Sequence, residues 1–161
     1  MTVAPAVNAQ VTEGADTRDG VIDAFDRTCR IGFPSFETVA RSANAAGWIE
    51  RKVSVPSGST LPAGVILPRT FQRGDVTVLL VTPSPAFPGS KRSCQVTAVA
   101  KGKPDPQAYA SAVAARFGLG APLWQGKGPE AIATWRVANG TVNADIGRYH
   151  QTRSFSLRIS D

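Results

Sequence analysis

The chain has 161 residues, 42% of them hydrophobic and 19% charged, which is the size and composition of one soluble domain with a core of its own. No run of about 18 apolar residues occurs, so the sequence excludes a membrane-spanning helix. The formal net charge of +6 is uneven, because residues 1–50 are acidic on balance and the remainder carries 14 basic against five acidic side chains. Such a basic region is typical of an anion-binding face, and equally of an ordinary soluble surface.

Residues 1–16 are expected to lie outside the folded core, and residues 17–161 to form a single domain. The first 16 residues contain no apolar run long enough for a signal peptide. Val7, Asn8 and Ala9 nevertheless resemble the end of a signal-peptide cleavage site without its hydrophobic part. Two interpretations stay open: the mature N-terminus of an exported protein with the signal peptide absent, or an ordinary N-terminal tail.

Two helices are predicted at the start of the domain. Residues 17–30 place apolar side chains on one face at helical spacing, with Cys29 on the core side of the last turn. Ser35 is positioned to cap a second helix. Gly47 supplies the left-handed residue that ends this second helix, with Trp48 folding back as its apolar contact.

After the second helix the apolar period changes to two, which predicts β-strands. In the first strand, Glu50 and Lys52 are expected to face solvent. Asn139 and Gly140 form the strongest hairpin signal in the chain. The predicted strands cover residues 48–55, 64–71, 75–82, 93–100, 131–138, 141–148 and 152–160, with a helix at residues 105–117.

The order of these elements is α-α-β-β-β-β-α-β-β-β, with hairpins between the strands instead of crossovers. This order is typical of an α+β domain. The sequence therefore predicts an antiparallel sheet of six to seven strands, with two N-terminal helices and one later helix packed on one face.

Cys29 and Cys94 are the only cysteines, and they are 65 positions apart. The chain has no CxxC pair and no Cys/His cluster, which argues against a zinc or redox site. Two interpretations remain: a long-range disulfide in an oxidising compartment, or two separate buried thiols. Both cysteines fall on faces that are predicted to look into the layer between helices and sheet.

The motifs offer little catalytic chemistry. Residues 120–128 superficially resemble a phosphate-binding loop, but the spacing is one residue too long and Gly128 replaces the hydroxyl that would hold magnesium. His150 is the only histidine, so neither a metal nor another cofactor is predicted. The chain contains the residue types for a catalytic pair of Cys29 or Cys94 with His150, but the predicted core positions of the cysteines argue against such a pair.

Four arginines lie in the predicted C-terminal strands. Arg136 and Arg158 occupy outward positions, whereas Arg148 and Arg153 flank the turn between the last two strands. Sheets that bind single-stranded nucleic acid also present exposed aromatic platforms, and Trp135 shares a face with core residues instead. The sequence therefore disfavours nucleic acid as a partner.

Two loops carry the best candidates for recognition, residues 83–93 and residues 118–129. The candidate ligand- or partner-binding residues are Phe87, Lys91 and Arg92 in the first loop and Trp124 and Lys127 in the second. The aromatic residues among them are suited either to exposed contacts or to closing the core.

Three short motifs carry a resemblance: Phe25-Asp26-Arg27-Thr28-Cys29, Ala46-Gly47-Trp48 and Cys94-Gln95-Val96. Together they resemble uncharacterised small exported proteins of Gram-negative bacteria, over a minor part of the chain. The resemblance implies a periplasmic location and a bridge between Cys29 and Cys94, and no activity or catalytic residue. We expect an exported, periplasmic or secreted, non-catalytic domain that binds a protein or small ligand through its loops. An enzyme of unknown reaction and an anion or nucleic-acid binder are the alternatives.

Overall fold

Eight antiparallel strands form one sheet in the computed structural model, which describes residues 16–161. Three helices accompany the sheet, so the predicted α+β class is confirmed, with a slightly higher strand count than expected. Of residues 1–16, which were expected to lie outside the folded core, residues 1–15 are outside the described part of the chain and Asp16 begins the first helix. The strands are β1 (Ile49–Arg51), β2 (Arg69–Arg73), β3 (Val76–Val81), β4 (Ser93–Val99), β5 (Leu123–Gln125), β6 (Ile132–Val137), β7 (Gly140–Tyr149) and β8 (Thr152–Ser160).

The helices are α1 (Asp16–Phe25), which continues into a π-helical turn at Asp26–Arg30, α2 (Phe36–Ala45) and α3 (Pro106–Phe117). Ser35 caps α2 as predicted, because its hydroxyl oxygen accepts a hydrogen bond from the amide of Thr38 at 3.3 Å. Within residues 16–161, no helix combines the length and the apolar composition that a bilayer span requires.

The strand order across the sheet is β1-β2-β3-β4-β8-β7-β6-β5, so β4 and β8 meet in the middle. Alternation along the strands separates the two faces. The face under the helices is apolar and buried, whereas the opposite face carries mainly polar side chains. One register row on the helix side runs from β2 to the edge strand β5 through Phe71, Val78, Val96, Leu157, Ala144, Ala133 and Trp124.

A disulfide joins Cys29, in the π-helical turn, to Cys94 near the start of β4. The two Cα atoms are 5.5 Å apart and neither residue is exposed. The predicted bridge is therefore confirmed, and it ties the helical layer to the sheet. We call this end of the sheet the disulfide end. The opposite end, where β7 turns into β8, is the hairpin end.

The two halves of the chain follow one plan that the sequence does not reveal. In each half a helix precedes a four-stranded antiparallel meander, α2 before β1–β4 and α3 before β5–β8. Both helices end at a glycine with positive φ, Gly47 at 80° and Gly118 at 64°. At the first of these ends the amide of Trp48 donates to the carbonyl of Ala43 at 3.0 Å, which confirms the predicted cap.

The first strand departs from prediction. β1 has three residues instead of the eight expected at 48–55, and Ile49 is 56% exposed. Glu50 is exposed, as predicted, although it pairs in register with buried Phe71 and so lies on the helix side of the sheet. The reason is local: the cap at Gly47 puts Trp48 into the core, and Arg69 provides the Glu50 carboxylate with a partner.

Candidate functional site

The disulfide settles the question of cysteine chemistry. Both cysteines are bonded, so neither can act as a nucleophile with His150. In the part of the chain that the structure describes, no group of three or more His, Cys, Asp or Glu side chains is placed to hold a metal ion.

Three of the five predicted contact residues lie at the disulfide end, in the connection between β3 and β4. Phe87 is 59% exposed and Lys91 is also exposed. Arg92 is tied into the fold, because its guanidinium donates to the carbonyl of Pro34 at 3.4 Å and lies 3.9 Å from a carboxylate oxygen of Asp161. This loop therefore offers one aromatic ring and one lysine to a partner.

The other two predicted residues lie far from that loop. Trp124 belongs to β5, the outermost strand of the sheet, and Lys127 follows in the connection to β6. Four strand spacings separate β5 from β4, which is about 19 Å at the usual spacing. The two loops thus form separate surfaces.

Trp124 lies in a groove between α3 and β5, which we call the α3–β5 groove. Two adjoining depressions of about 460 and 330 Å³ share Trp124 and Gln107 in their linings. Lys127 lines the first depression. Ala110 and Ala114 line the second with small side chains. The groove therefore combines an aromatic ring, an amide and an ammonium group along an apolar wall, as small-molecule and peptide sites commonly do.

The equivalent place in the first half, between α2 and β1, is bridged by ion pairs. The guanidinium of Arg69 donates to both carboxylate oxygens of Glu50 at 2.8 and 3.2 Å and to Glu37 of α2 at 3.1 Å. It also lies over the ring of Phe71 at 5.4 Å. Hydrogen bonding to Arg69 lowers the pKa of Glu50, so the pair stays charged at neutral pH.

The two edge strands accordingly differ in chemistry. β1 carries Glu50 and Arg51, whereas β5 has the sequence Leu-Trp-Gln and no charge. Leu123 is 67% exposed and Trp124 is 39% exposed. Natural sheets usually protect their edges with charged side chains, and β5 lacks this protection.

The arginines of the C-terminal strands divide as the sequence predicts. Arg136 and Arg158 are exposed on the face away from the helices. Arg148 and Arg153 are directly opposite each other beside the β7–β8 turn. Trp135 is buried, and its indole N–H donates to the carbonyl of Gly120 at 2.9 Å.

Sequence reasoning missed β5 and the groove beside it. Three residues between Pro122 and Gly126 are too few to show an alternating pattern, although an apolar-aromatic pair so close to turn residues was an available signal. Gln107 and Ser111 also line the groove, and nothing in their sequence context distinguishes them from ordinary exposed helix residues.

Comparison with protein-family models, with curated proteins and with solved structures gave no significant match. The fold and the groove define the class of protein: a disulfide-linked α+β domain with one charged and one uncharged sheet edge.

Proposed function

We propose that this protein is an exported, non-catalytic binding domain that captures an extended segment of another protein at β5. The segment pairs with the free edge of β5 as a ninth strand and inserts side chains into the α3–β5 groove. The observation that carries this proposal is the contrast between the two edges. β1 is charged and is bridged to α2 by the Arg69 ion pairs, while β5 is uncharged and lies beside an open groove.

Main-chain hydrogen bonding supplies the part of the affinity that does not depend on the sequence of the bound segment. β5 pairs with β6 on one side and is the last strand of the sheet on the other. An added strand satisfies the backbone groups of that outer side, as in other cases of strand addition. The exposed Leu123 and Trp124 add apolar area that an incoming strand would cover.

The groove supplies the specificity. A strand one spacing beyond β5, at about 4.8 Å, places every second side chain on the helix side of the sheet. There these side chains meet Trp124 and the small residues Ala110 and Ala114. Apolar side chains of moderate size suit this wall.

Charge favours an acidic segment. Lys127 lines the groove, and the whole chain has a net charge of +6. The carboxylate of Asp105 also lines this depression, but it accepts the amide of Gln107 at 2.9 Å as the cap of α3. A segment that alternates apolar residues with acidic residues, the latter placed near Lys127, therefore fits best.

Export is part of the proposal. A buried disulfide is consistent with an oxidising compartment. The motif resemblance to small exported proteins points in the same direction, toward the periplasm or secretion.

The test uses a display library of ten-residue peptides, selected against the oxidised full chain. Leu123→Glu introduces at the free edge a negative charge that repels an acidic segment, and Ile49→Glu is the matched control on β1. Both positions are exposed and apolar in three-residue edge strands. We expect selected peptides to be apolar-acidic and to bind Leu123→Glu at least about 10-fold more weakly than wild type, with Ile49→Glu unchanged.

Three outcomes would overturn the proposal. These are a failure to enrich any peptide, equal binding to wild type and Leu123→Glu, and equal loss with Ile49→Glu. Concentration-dependent dimers of the wild type that Leu123→Glu abolishes would assign the edge to a second copy of this chain instead. Fluorescence provides a direct readout, because Trp124 is exposed while Trp48 and Trp135 are buried. A bound peptide should protect Trp124 from iodide quenching.

A further inference from the structure

Two long connections meet at the disulfide end of the sheet. Residues 52–68 join β1 to β2, and residues 82–92 join β3 to β4. Both emerge at this end, because Arg69 at the start of β2 and Leu80 near the end of β3 share the register row of Cys94. The double loop, as we call the two connections together, therefore forms one end of the first meander.

A buried serine holds the two connections together. The hydroxyl of Ser84 donates to the carbonyl of Gly64 at 2.6 Å and accepts a hydrogen bond from the amide of Ile66 at 3.3 Å. The carbonyl of Ser84 accepts the amide of Phe87 at 2.9 Å, and its amide donates to the hydroxyl of Ser90 at 2.9 Å. Ser84 itself is 8% exposed. These bonds fix the backbone at Ile66 relative to the backbone at Phe87.

The side chains that the double loop presents to solvent are largely apolar. Phe87 is 59% exposed and Ile66 is 46% exposed, and the amide of each is hydrogen-bonded to Ser84. Leu61 and Leu67 of the first connection are also exposed. The two connections contain six prolines, which restrict the backbone, so little further ordering is needed when these side chains meet a partner. Clustered apolar side chains on a surface typically mark a place of contact with a protein or a membrane.

The same connections carry positive charge and no negative charge. They contain Lys52, Lys91 and Arg92, and no aspartate or glutamate. The guanidinium of Arg92 lies 3.9 Å from a carboxylate oxygen of Asp161. In the described part of the chain, no carboxylate oxygen lies within 4.0 Å of either lysine. An anionic surface would therefore meet two ammonium groups without an ion pair in the connections that carry the apolar side chains.

This combination favours a lipid surface over a protein. Interfaces between proteins are depleted in lysine. Lysine together with exposed phenylalanine and leucine is, by contrast, the combination by which amphipathic helices lie on anionic bilayers. The aliphatic stem of a lysine can stay among apolar groups while its ammonium reaches the level of the lipid phosphates.

We propose that the double loop binds the surface of an anionic membrane. Phe87 and Ile66 insert between the lipid headgroups, and Lys91 contacts the lipid phosphates. Lys91 is four residues from Phe87 in the same connection, so one approach of the bilayer engages both. This surface is separate from β5, and the proposal does not rest on the capture of peptides there.

Vesicles of phosphatidylcholine, alone or mixed with phosphatidylglycerol, are the probes, and co-sedimentation with the oxidised full chain measures binding. We expect the chain to bind the mixed vesicles at least about 10-fold more tightly than phosphatidylcholine alone, because each basic side chain gains attraction from the anionic lipid. Added salt should weaken this binding, because it screens the charges.

The apolar part of the contact is tested with Phe87→Ser and Ile66→Ser. Ile49→Ser is the matched control, because Ile49 is 56% exposed and pairs with Gln72 beside the β2–β3 turn, at the hairpin end. We expect Phe87→Ser to bind the mixed vesicles about 10-fold more weakly and Ile66→Ser about fivefold more weakly, with Ile49→Ser unchanged. Urea unfolding of Phe87→Ser should match that of wild type, because the ring is exposed.

The basic part is tested with Lys91→Gln against Lys101→Gln. Lys101 is exposed and follows β4 at the hairpin end, and its replacement changes the net charge by the same amount. We expect Lys91→Gln to bind the mixed vesicles about fivefold more weakly and Lys101→Gln to bind as wild type does.

Phe87→Trp gives a direct readout of insertion, because tryptophan suits the headgroup level of a bilayer. Its fluorescence should shift to the blue on mixed vesicles, whereas Ile49→Trp should show no shift. Absence of binding to the mixed vesicles, equal binding to both kinds of vesicle, or an equal loss with Ile49→Ser would overturn the proposal. Dimers of the wild type that Phe87→Ser dissociates, without binding to vesicles, would assign the apolar surface to a second copy of this chain instead.

Discussion

The two halves of the sheet share one plan and use it differently. In the first half, a disulfide and the ion pairs of Arg69 hold the helices to the strands. In the second half, α3 covers the strands without a covalent cross-link. Its margins are the apolar edge strand β5 and the β7–β8 hairpin with its two arginines. The comparison shows that two copies of one helix-and-meander arrangement can differ in role. The first copy is stabilised by ion pairs and a disulfide, whereas the second keeps exposed apolar and basic side chains that are available for binding.

Removal of the disulfide should have the largest effect. Replacing both cysteines by alanine frees a loop of 65 residues in the unfolded chain, which should cost about 4 kcal/mol in the free energy of unfolding. Urea unfolding measures this loss, and reduced wild type should behave like the double variant.

The same double-alanine variant tests whether the two halves of the sheet unfold independently of each other. Because β4 and β8 pair along their length, we expect native-state hydrogen exchange to accelerate in both halves. Acceleration confined to α1, α2 and β1–β4 would show instead that the halves unfold separately.

In the second half, Tyr109→Phe should stabilise the protein by about 1 kcal/mol. Tyr109 is 1% exposed, and its hydroxyl has no hydrogen-bond partner within residues 16–161. The ring packs against that of Phe155 in a tilted arrangement with the centroids 4.9 Å apart, and phenylalanine would keep this contact. Thermal denaturation at neutral pH measures the gain, and a loss of stability would indicate a partner for the hydroxyl.

The pH dependence gives this prediction a second test. Burial, and then the negative charge of Asp145, raise the pKa of Tyr109 well above its ordinary value. The unfolded chain therefore releases this proton first, and the wild type should lose stability as pH rises past about 10. Tyr109→Phe should lack this contribution, so its advantage should grow in alkali.

The smallest predicted effects on stability come from Asp26 and Asp145, whose pKa values are shifted in opposite directions. For Asp26, burial acts to raise the pKa, but hydrogen bonds from Arg30 and Arg116 lower it overall. For Asp145, burial raises the pKa, and the hydrogen bond of Ser156 and the charge of Arg158 offset only part of the increase. The ionised form is thus favoured by folding at Asp26 and disfavoured at Asp145.

Replacing each aspartate by asparagine should reveal this contrast as opposite changes in the free energy of unfolding. At pH 7, Asp26→Asn should destabilise and Asp145→Asn should stabilise, each by about 1 kcal/mol or less. The stability from Asp26 is lost as pH falls, whereas the penalty at Asp145 is relieved as pH falls, so both differences should vanish in acid. Effects of the same sign at pH 7, measured by urea unfolding, would contradict the assignment.

The sequence predicted most of the fold and only part of the candidate site. Strong signals such as the Ser35 cap, Gly47 and Asn139-Gly140 concern neighbours in the chain, and the structure confirms them. The partners of Arg69 lie 19 and 32 positions away, so no local pattern could show that they close one edge. The groove at Trp124 depends likewise on how α3 lies over a three-residue strand.

The central position of β8 sets an order of events during synthesis. Both cysteines and all of β1–β4 precede it in the chain, so every residue of the first meander has been made before β8 is added. Until then β4 is an edge, with Val96 and Ala98 lacking their neighbours Leu157 and Phe155. The finished sheet therefore depends on its last strand, because a chain cut before Thr152 would keep both cysteines but leave β4 as an exposed edge strand.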